Sequence, residues 1–171
     1  MNMMTELAGV KQGNVLHAKM RIAGEHVGGE RVLEVRNPYT GAVVGTVPKA
    51  GVDDVRRAFA AARGYKSKLT RHERSQIMYT TAELIRARAD AISDLITAEC
   101  GICKKDSMYE VGRACDVFMF AGNAALQDDG QVFSCDLTPH GKKRKVYTLR
   151  DPLLGAISAI TPFNHPLNQV A

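Results

Sequence analysis

Apolar positions change their period along this chain. Up to about residue 50 they fall in short β-prone runs, Lys19–Ile22, Arg31–Arg36 and Val43–Val47. Gly24, Gly28–Gly29 and the turn NPYTG (Asn37 to Gly41) separate them, which predicts a small antiparallel β unit. From Asp53 the spacing becomes helical. Val55, Ala58, Phe59 and Ala62 recur behind Asp53 and Asp54, acidic residues that suit a helix start, and Gly64 closes the run. Thr70 with Glu73 forms a capping box for a second helix. Its apolar positions (Ile77, Met78, Ala82, Leu84, Ile85, then Ile92, Leu95 and Ile96) run on to Gly101. A third helix is predicted from about Asp106 to Leu126, with Met108, Val111, Cys115, Phe118, Met119 and Gly122 inward. Gln131–Leu137 and Lys145–Arg150 then read as two strands around the turn TPHGK.

The last run, Leu154–Ile160, is apolar and of strand length, with Gly155 near its start and Pro162 closing it. Pro162 and Pro166 bias Thr161 and His165 toward extended backbone, and Pro166 suits the first position of a helix. The stretch therefore reads as strand, short loop, helix start. Asn164 falls in the loop beyond the strand's carboxyl end, where open α/β sheets place ligands. One such strand cannot cover its own faces. The chain reads as an α/β protein and as the front part of something larger.

Composition narrows the classes. At 171 residues, with 45% hydrophobic and 24% charged, the chain has the make-up of a soluble globular protein. No apolar run reaches membrane-spanning length. The N-terminus shows no secretory pattern, so a cytoplasmic location is expected. Cys100, Cys103, Cys115 and Cys135 are expected as ordinary thiols. Cys100 and Cys103 have redox or zinc spacing, but no second pair accompanies them, and no metal site is expected. The net charge of +5 concentrates in GKKRK, 141–145. No interleaved aromatics or nucleic-acid motif accompany it, so it reads as a solvated turn rather than a nucleic-acid surface.

The ordered features resemble one family. VRNPYTGAVVGTVP (Val35–Pro48) is similar to the opening strand-turn-strand of the aldehyde dehydrogenase superfamily. LITAECGICKKDSMYEVGRA stands where members carry a glutamate, a small residue and Gly-Lys; Glu99, Cys100 and Gly101 fit, and Ile102 departs from the lysine. VYTLRDPLLGAISAITPFNHP (Val146–Pro166) resembles the superfamily's Arg-x-Pro, first nucleotide-domain strand and Pro-aromatic-Asn. CKKDSMYEVGRA, DDGQVFSCDLTPHGKKRKVYT and ITPFNHPLNQVA together are most similar to the phosphonoacetaldehyde dehydrogenase subgroup.

The resemblance implies that residues 1–171 are the N-terminal part of that fold, with oligomerisation-type β segments over 131–152 and the start of the dinucleotide-binding sheet over 153–171. It implies NAD or NADP as cofactor, a small anionic aldehyde such as phosphonoacetaldehyde as substrate, and a homodimer or homotetramer as the assembly. Asn164 takes the role of oxyanion donor, which its uncharged amide N–H suits; a turn asparagine bonding locally is the alternative. Ile160, Thr161, Pro162 and Phe163 match positions along the dinucleotide. Arg113 and His165 are assigned to the anionic tail, arginine through its planar fork of donors. The alternatives are an ion pair of Arg113 with Glu110 or Asp116, and a backbone-bonded helix-entry role for His165. The nucleophilic cysteine and general-base glutamate lie downstream of the Asn motif in relatives, so this chain alone is expected to be inactive. The other readings are a non-catalytic module pairing with a full-length homologue, or an aldehyde dehydrogenase for another small aldehyde.

Overall fold

The computed structural model describes residues 10–12, 15–127, 130–149 and 155–171. Six short strands come first: β1 (Val10–Gln12), β2 (Val15–His17), β3 (Met20–Ile22), β4 (Glu25–Val27), β5 (Val32–Arg36) and β6 (Val43–Pro48). One sheet has the order β1-β2-β6-β5, and β3 with β4 forms a separate ribbon. The antiparallel expectation holds for β5 with β6 but not for β2 with β6, which run parallel. The strand Val15–His17 escaped the sequence pattern because three residues are too few to show alternation. His17 Nδ1 lies 2.8 Å from Thr46 Oγ1 across this parallel pair.

The NPYTG turn closes β5 onto β6. Asn37 Oδ1 accepts from the N–H groups of Tyr39 and Thr40 at 3.0 and 2.9 Å, an Asx arrangement, and Gly41 takes φ +71°. The same asparagine's Nδ2 donates to Ala98 O at 3.1 Å, fixing the turn to the helices.

Four helices come next: α1 (Val52–Gly64), α2 (Arg71–Arg86), α3 (Ala89–Cys100) and α4 (Lys104–Ala125). The capping box of α2 forms as its sequence predicts, with Glu73 N–H donating to Thr70 Oγ1 at 3.2 Å and Thr70 N–H to Glu73 Oε2 at 2.8 Å. Thr70→Ala is expected to cost about 1 kcal/mol, as loss of an N-cap does elsewhere. The Thr70 N–H first, and its hydroxyl second, hold the Glu73 carboxyl below its ordinary range. A depressed folded-state carboxyl adds stability that is present above the ordinary carboxylate range and is lost as pH falls through the folded value. Thr70→Ala keeps that N–H and removes only the hydroxyl, so the part of its deficit carried by the hydroxyl–carboxylate bond should shrink in acid, which melting curves at pH 7 and pH 3 would show.

Three sequence expectations need correction. The continuous pattern from Thr70 to Gly101 is two helices, broken at Ala87–Arg88, where Ala87 N–H bonds Glu83 O and Arg88 N–H bonds Ile85 O. Neither residue breaks helices, so the bend is tertiary: it lets both α2 and α3 pack on α4. Apolar stripes also overstate burial. α1 has no buried residue, and Ile77, Leu84 and Met119 are exposed. The third correction is the final strand, whose first residue, Leu154, lies outside the described residues. Residues 155–162 adopt no regular structure, and Ile157 and Ile160 are 70% and 95% exposed. Extended backbone becomes a strand only with a ladder partner, and none of the described strands pairs with it.

The core lies between α4 and the two helices it meets. Val111, Ala114 and Cys115 of α4 bury against Ala82 and Ile96. Small residues bring the helices close: a Cβ on Gly122 would stand 2.8 Å from the Tyr79 ring. Buried hydroxyls join α3 to α4, Ser93 Oγ to Ser107 Oγ at 2.6 Å and Thr97 Oγ1 to Ser107 Oγ at 3.0 Å. Beyond α4, β7 (Val132–Ser134) and β8 (Lys145–Tyr147) pair antiparallel as a hairpin, both shorter than the segments read from sequence. Arg150, the expected end of its second strand, lies outside the described residues. Val132, Phe133, Val146 and Tyr147 are all exposed, so neither face of the ribbon is covered among the described residues.

Candidate active-site loop

The segment 160–166 carries most of the candidate site residues, and α4 anchors the turn directly after it. Pro166 occupies a helix-entry position. Gln169 N–H then bonds His165 O at 3.3 Å and Ala171 N–H bonds Leu167 O at 3.1 Å, which is a first helical turn rather than a full helix. A nascent turn leaves its leading N–H groups without partners. Glu110, 2% exposed in the middle of α4, supplies the acceptor: its Oε1 takes the N–H groups of Leu167 and Asn168 at 2.8 and 3.1 Å. This is an N-cap delivered from another helix, charge-assisted and at the positive end of the turn.

The other oxygen, Glu110 Oε2, is buried without a hydrogen bond among the described residues, and His165 Nδ1 lies 3.7 Å from it. Cys100 at the end of α3 touches the same segment, its Sγ 3.5 Å from Phe163 O. Burial pushes the Cys100 thiol up, and the Glu99 and Glu110 carboxylates add to the rise. A thiol shifted that way is a poorer nucleophile at neutral pH, so it has the character of a packing residue. Burial raises the Glu99 carboxyl as well. All four cysteines are free, and no group of three metal-ligating side chains occurs among the described residues.

Asn164 and His165 are exposed, as are Ile160, Thr161, Pro162 and Phe163. Asn164's amide makes no hydrogen bond within the described residues, so the local turn bond open to it from sequence is not formed there. Arg113, one turn beyond Glu110 on α4, lines a cavity of about 520 Å³ together with Arg86, Tyr109 and Asp116. The loop 160–166 contributes nothing to that lining. The structure thus joins His165 to Glu110, and leaves Arg113 on the same helix facing separate space. Glu110 is the functional candidate that the sequence pattern does not single out, since there it offers only an ion-pair option for Arg113. Its signal was its position: a lone charge in the stripe Ser107, Val111, Ala114 and Gly122, which is otherwise uncharged.

The sequence profile of the aldehyde dehydrogenase family matches residues 25–171. The chain belongs to the aldehyde dehydrogenase family. Among relatives, the 3-sulfolactaldehyde dehydrogenase of Priestia megaterium is 29% identical over 168 residues, covering 98% of this chain and 34% of its own length. The aspartate-semialdehyde dehydrogenase 1 of Pseudomonas canavaninivorans is 33% identical over 142 residues, 81% of this chain and 30% of its own. The crystal structure of the NADP-dependent glyceraldehyde-3-phosphate dehydrogenase of Bacillus halodurans, complexed with NADP, superposes with a TM-score of 0.82 at 28% identity, covering 90% of this chain and 33% of that one. The chain therefore spans about a third of the length of these aldehyde dehydrogenases, and its fold is that of their N-terminal part. No described helix is long and apolar enough to cross a membrane.

Proposed function

We propose that this chain is the N-terminal part of an NAD(P)-dependent aldehyde dehydrogenase that oxidises a small anionic aldehyde, phosphonoacetaldehyde, to the carboxylate. The observation that carries the reading is the Asn164 amide, unpaired among the described residues and held on a segment that Glu110 ties to α4. Such an amide is free to donate to the oxygen that becomes negative as the aldehyde carbon turns tetrahedral. Ile160, Thr161, Pro162 and Phe163 suit the dinucleotide. Their backbone is irregular, outside any sheet, and Ile160 and Phe163 are 95% and 88% exposed, so polar main-chain groups and apolar surface are both available. A nicotinamide dinucleotide held along residues 160–163 would supply the hydride acceptor.

Arg113 and His165 bind the phosphonate. Arg113 stands on α4 one turn past the glutamate that ties down the His165 segment, although the cavity it lines is separate from the 160–166 loop. In this reading 131–152 makes oligomer contacts of a homodimer or homotetramer, 153–171 begins the dinucleotide-binding sheet, and the enzyme works in the cytoplasm. The uncovered apolar ribbon β7–β8 supports the first of these. It also supports a second reading, in which this chain is a non-catalytic module pairing with a full-length homologue.

The test is substrate discrimination in the full-length enzyme. Arg113→Ala should lower kcat/KM for phosphonoacetaldehyde at least tenfold more than for propanal, because a charge-assisted contact is lost with one substrate only. Equal losses on both aldehydes would remove the phosphonate assignment and leave an aldehyde dehydrogenase for another substrate.

A further inference from the structure

We infer that Glu110 is a positioning residue for the anionic end of the substrate, acting through His165; this rests on the function proposed above. The two oxygens of the Glu110 carboxylate have separate environments. Oε1 is saturated by the Leu167 and Asn168 N–H groups. Oε2 is buried, has no hydrogen bond among the described residues, and lies 3.7 Å from Nδ1 of a ring that is 47% exposed. Leaving a carboxylate oxygen buried without a donor is costly. A ring shift of about 1 Å would bring Nδ1–H into hydrogen-bonding distance.

The other neighbours do not compete for that oxygen. Cys100 directs its thiol at Phe163 O, Glu99 is a second carboxyl, and Arg113 lines the separate cavity with Arg86. Once Nδ1–H is committed to Oε2, the second ring nitrogen is the one left for the solvent side. A phosphonate oxygen only accepts, so the doubly protonated ring is the form that binds it: Nδ1–H donates to Oε2, and Nε2–H, aimed by that bond, donates to the phosphonate. The buried acid thereby determines which His165 nitrogen meets the phosphonate, and with what orientation. Its two oxygens divide the work: one places the loop, the other aims the ring.

Glu110→Gln separates these roles. The glutamine carbonyl can still accept both backbone N–H groups, while its amide cannot accept from Nδ1–H. In the full-length enzyme Glu110→Gln should raise KM for phosphonoacetaldehyde about tenfold more than KM for propanal. His165→Asn should show the same selectivity loss, and the double variant should add little to either single one. Should Glu110→Gln lower the yield of folded enzyme, exposed His165 still supplies the comparison. If His165→Asn discriminates between the aldehydes but Glu110→Gln shifts both equally, or if the two losses multiply, the inference falls while the proposed function stands. If His165→Asn itself affects both aldehydes equally, His165's part in phosphonate binding fails, and the inference fails with it.

Discussion

Asn164→Ala should lower kcat of the full-length enzyme by about 10²–10³, on phosphonoacetaldehyde and uncharged aldehydes alike, with little change in KM. The asparagine amide is proposed to act on charge that exists only after the carbonyl carbon becomes tetrahedral. Its loss therefore costs transition-state stabilisation, about 3 kcal/mol, and little ground-state affinity. The substitution is clean because Asn164 is exposed and its amide bonds nothing among the described residues. The melting temperature should stay within a degree or two of the parent. Steady-state kinetics beside a thermal scan checks both halves. A kcat within fivefold of the parent would exclude the oxyanion role, and a large fall in melting temperature would make the residue structural instead.

Gly101→Ala should be the most destabilising conservative change in the helical part, by about 2–5 kcal/mol. Two effects add. Gly101 ends α3 at φ +72°, where an L side chain costs about 1–2 kcal/mol. A Cβ there would also lie 2.6 Å from Pro38 Cγ, too close without movement, and overpacking of this kind costs about 1–3 kcal/mol. Pro38 has little room to yield, since Asn37 beside it is bonded to Ala98 O. The neighbouring Cys100 touches Phe163 O, so a shifted α3 terminus should also reduce activity. Gly112→Ala is the control: it lies inside α4 with nothing within 4 Å of the added carbon, and should be neutral or slightly stabilising. Chemical denaturation of both variants decides; equal midpoints would show that neither the positive φ nor the Pro38 contact carries a cost.

What could be read from the chain divides along physical lines. The Thr70–Glu73 box, the NPYTG turn and the Gly101 terminus were legible because each is a local device, complete within a few residues. The break at Ala87–Arg88 was not, because it is imposed by packing of α2 and α3 on α4. The expected strand at Leu154–Ile160 has the right composition, yet strand formation depends on a neighbour and not on composition. At the candidate site, a motif singles out Asn164 and its flanking residues. Glu110 was passed over since its partners, Leu167 and Asn168, lie 57 and 58 residues away. A charge set among Ser107, Val111 and Ala114 was the available sign, and it asks for a partner that helical spacing alone cannot name.

That long separation also orders events in time. The helices close on one another over shorter separations, 33 residues from Ala82 to Cys115 and 44 from Tyr79 to Asn123. The bonds from Glu110 to the last residues close a loop of nearly sixty positions, and their acceptor is in place only once α4 has formed. The segment bearing Asn164 thus depends on α4 staying folded around Glu110.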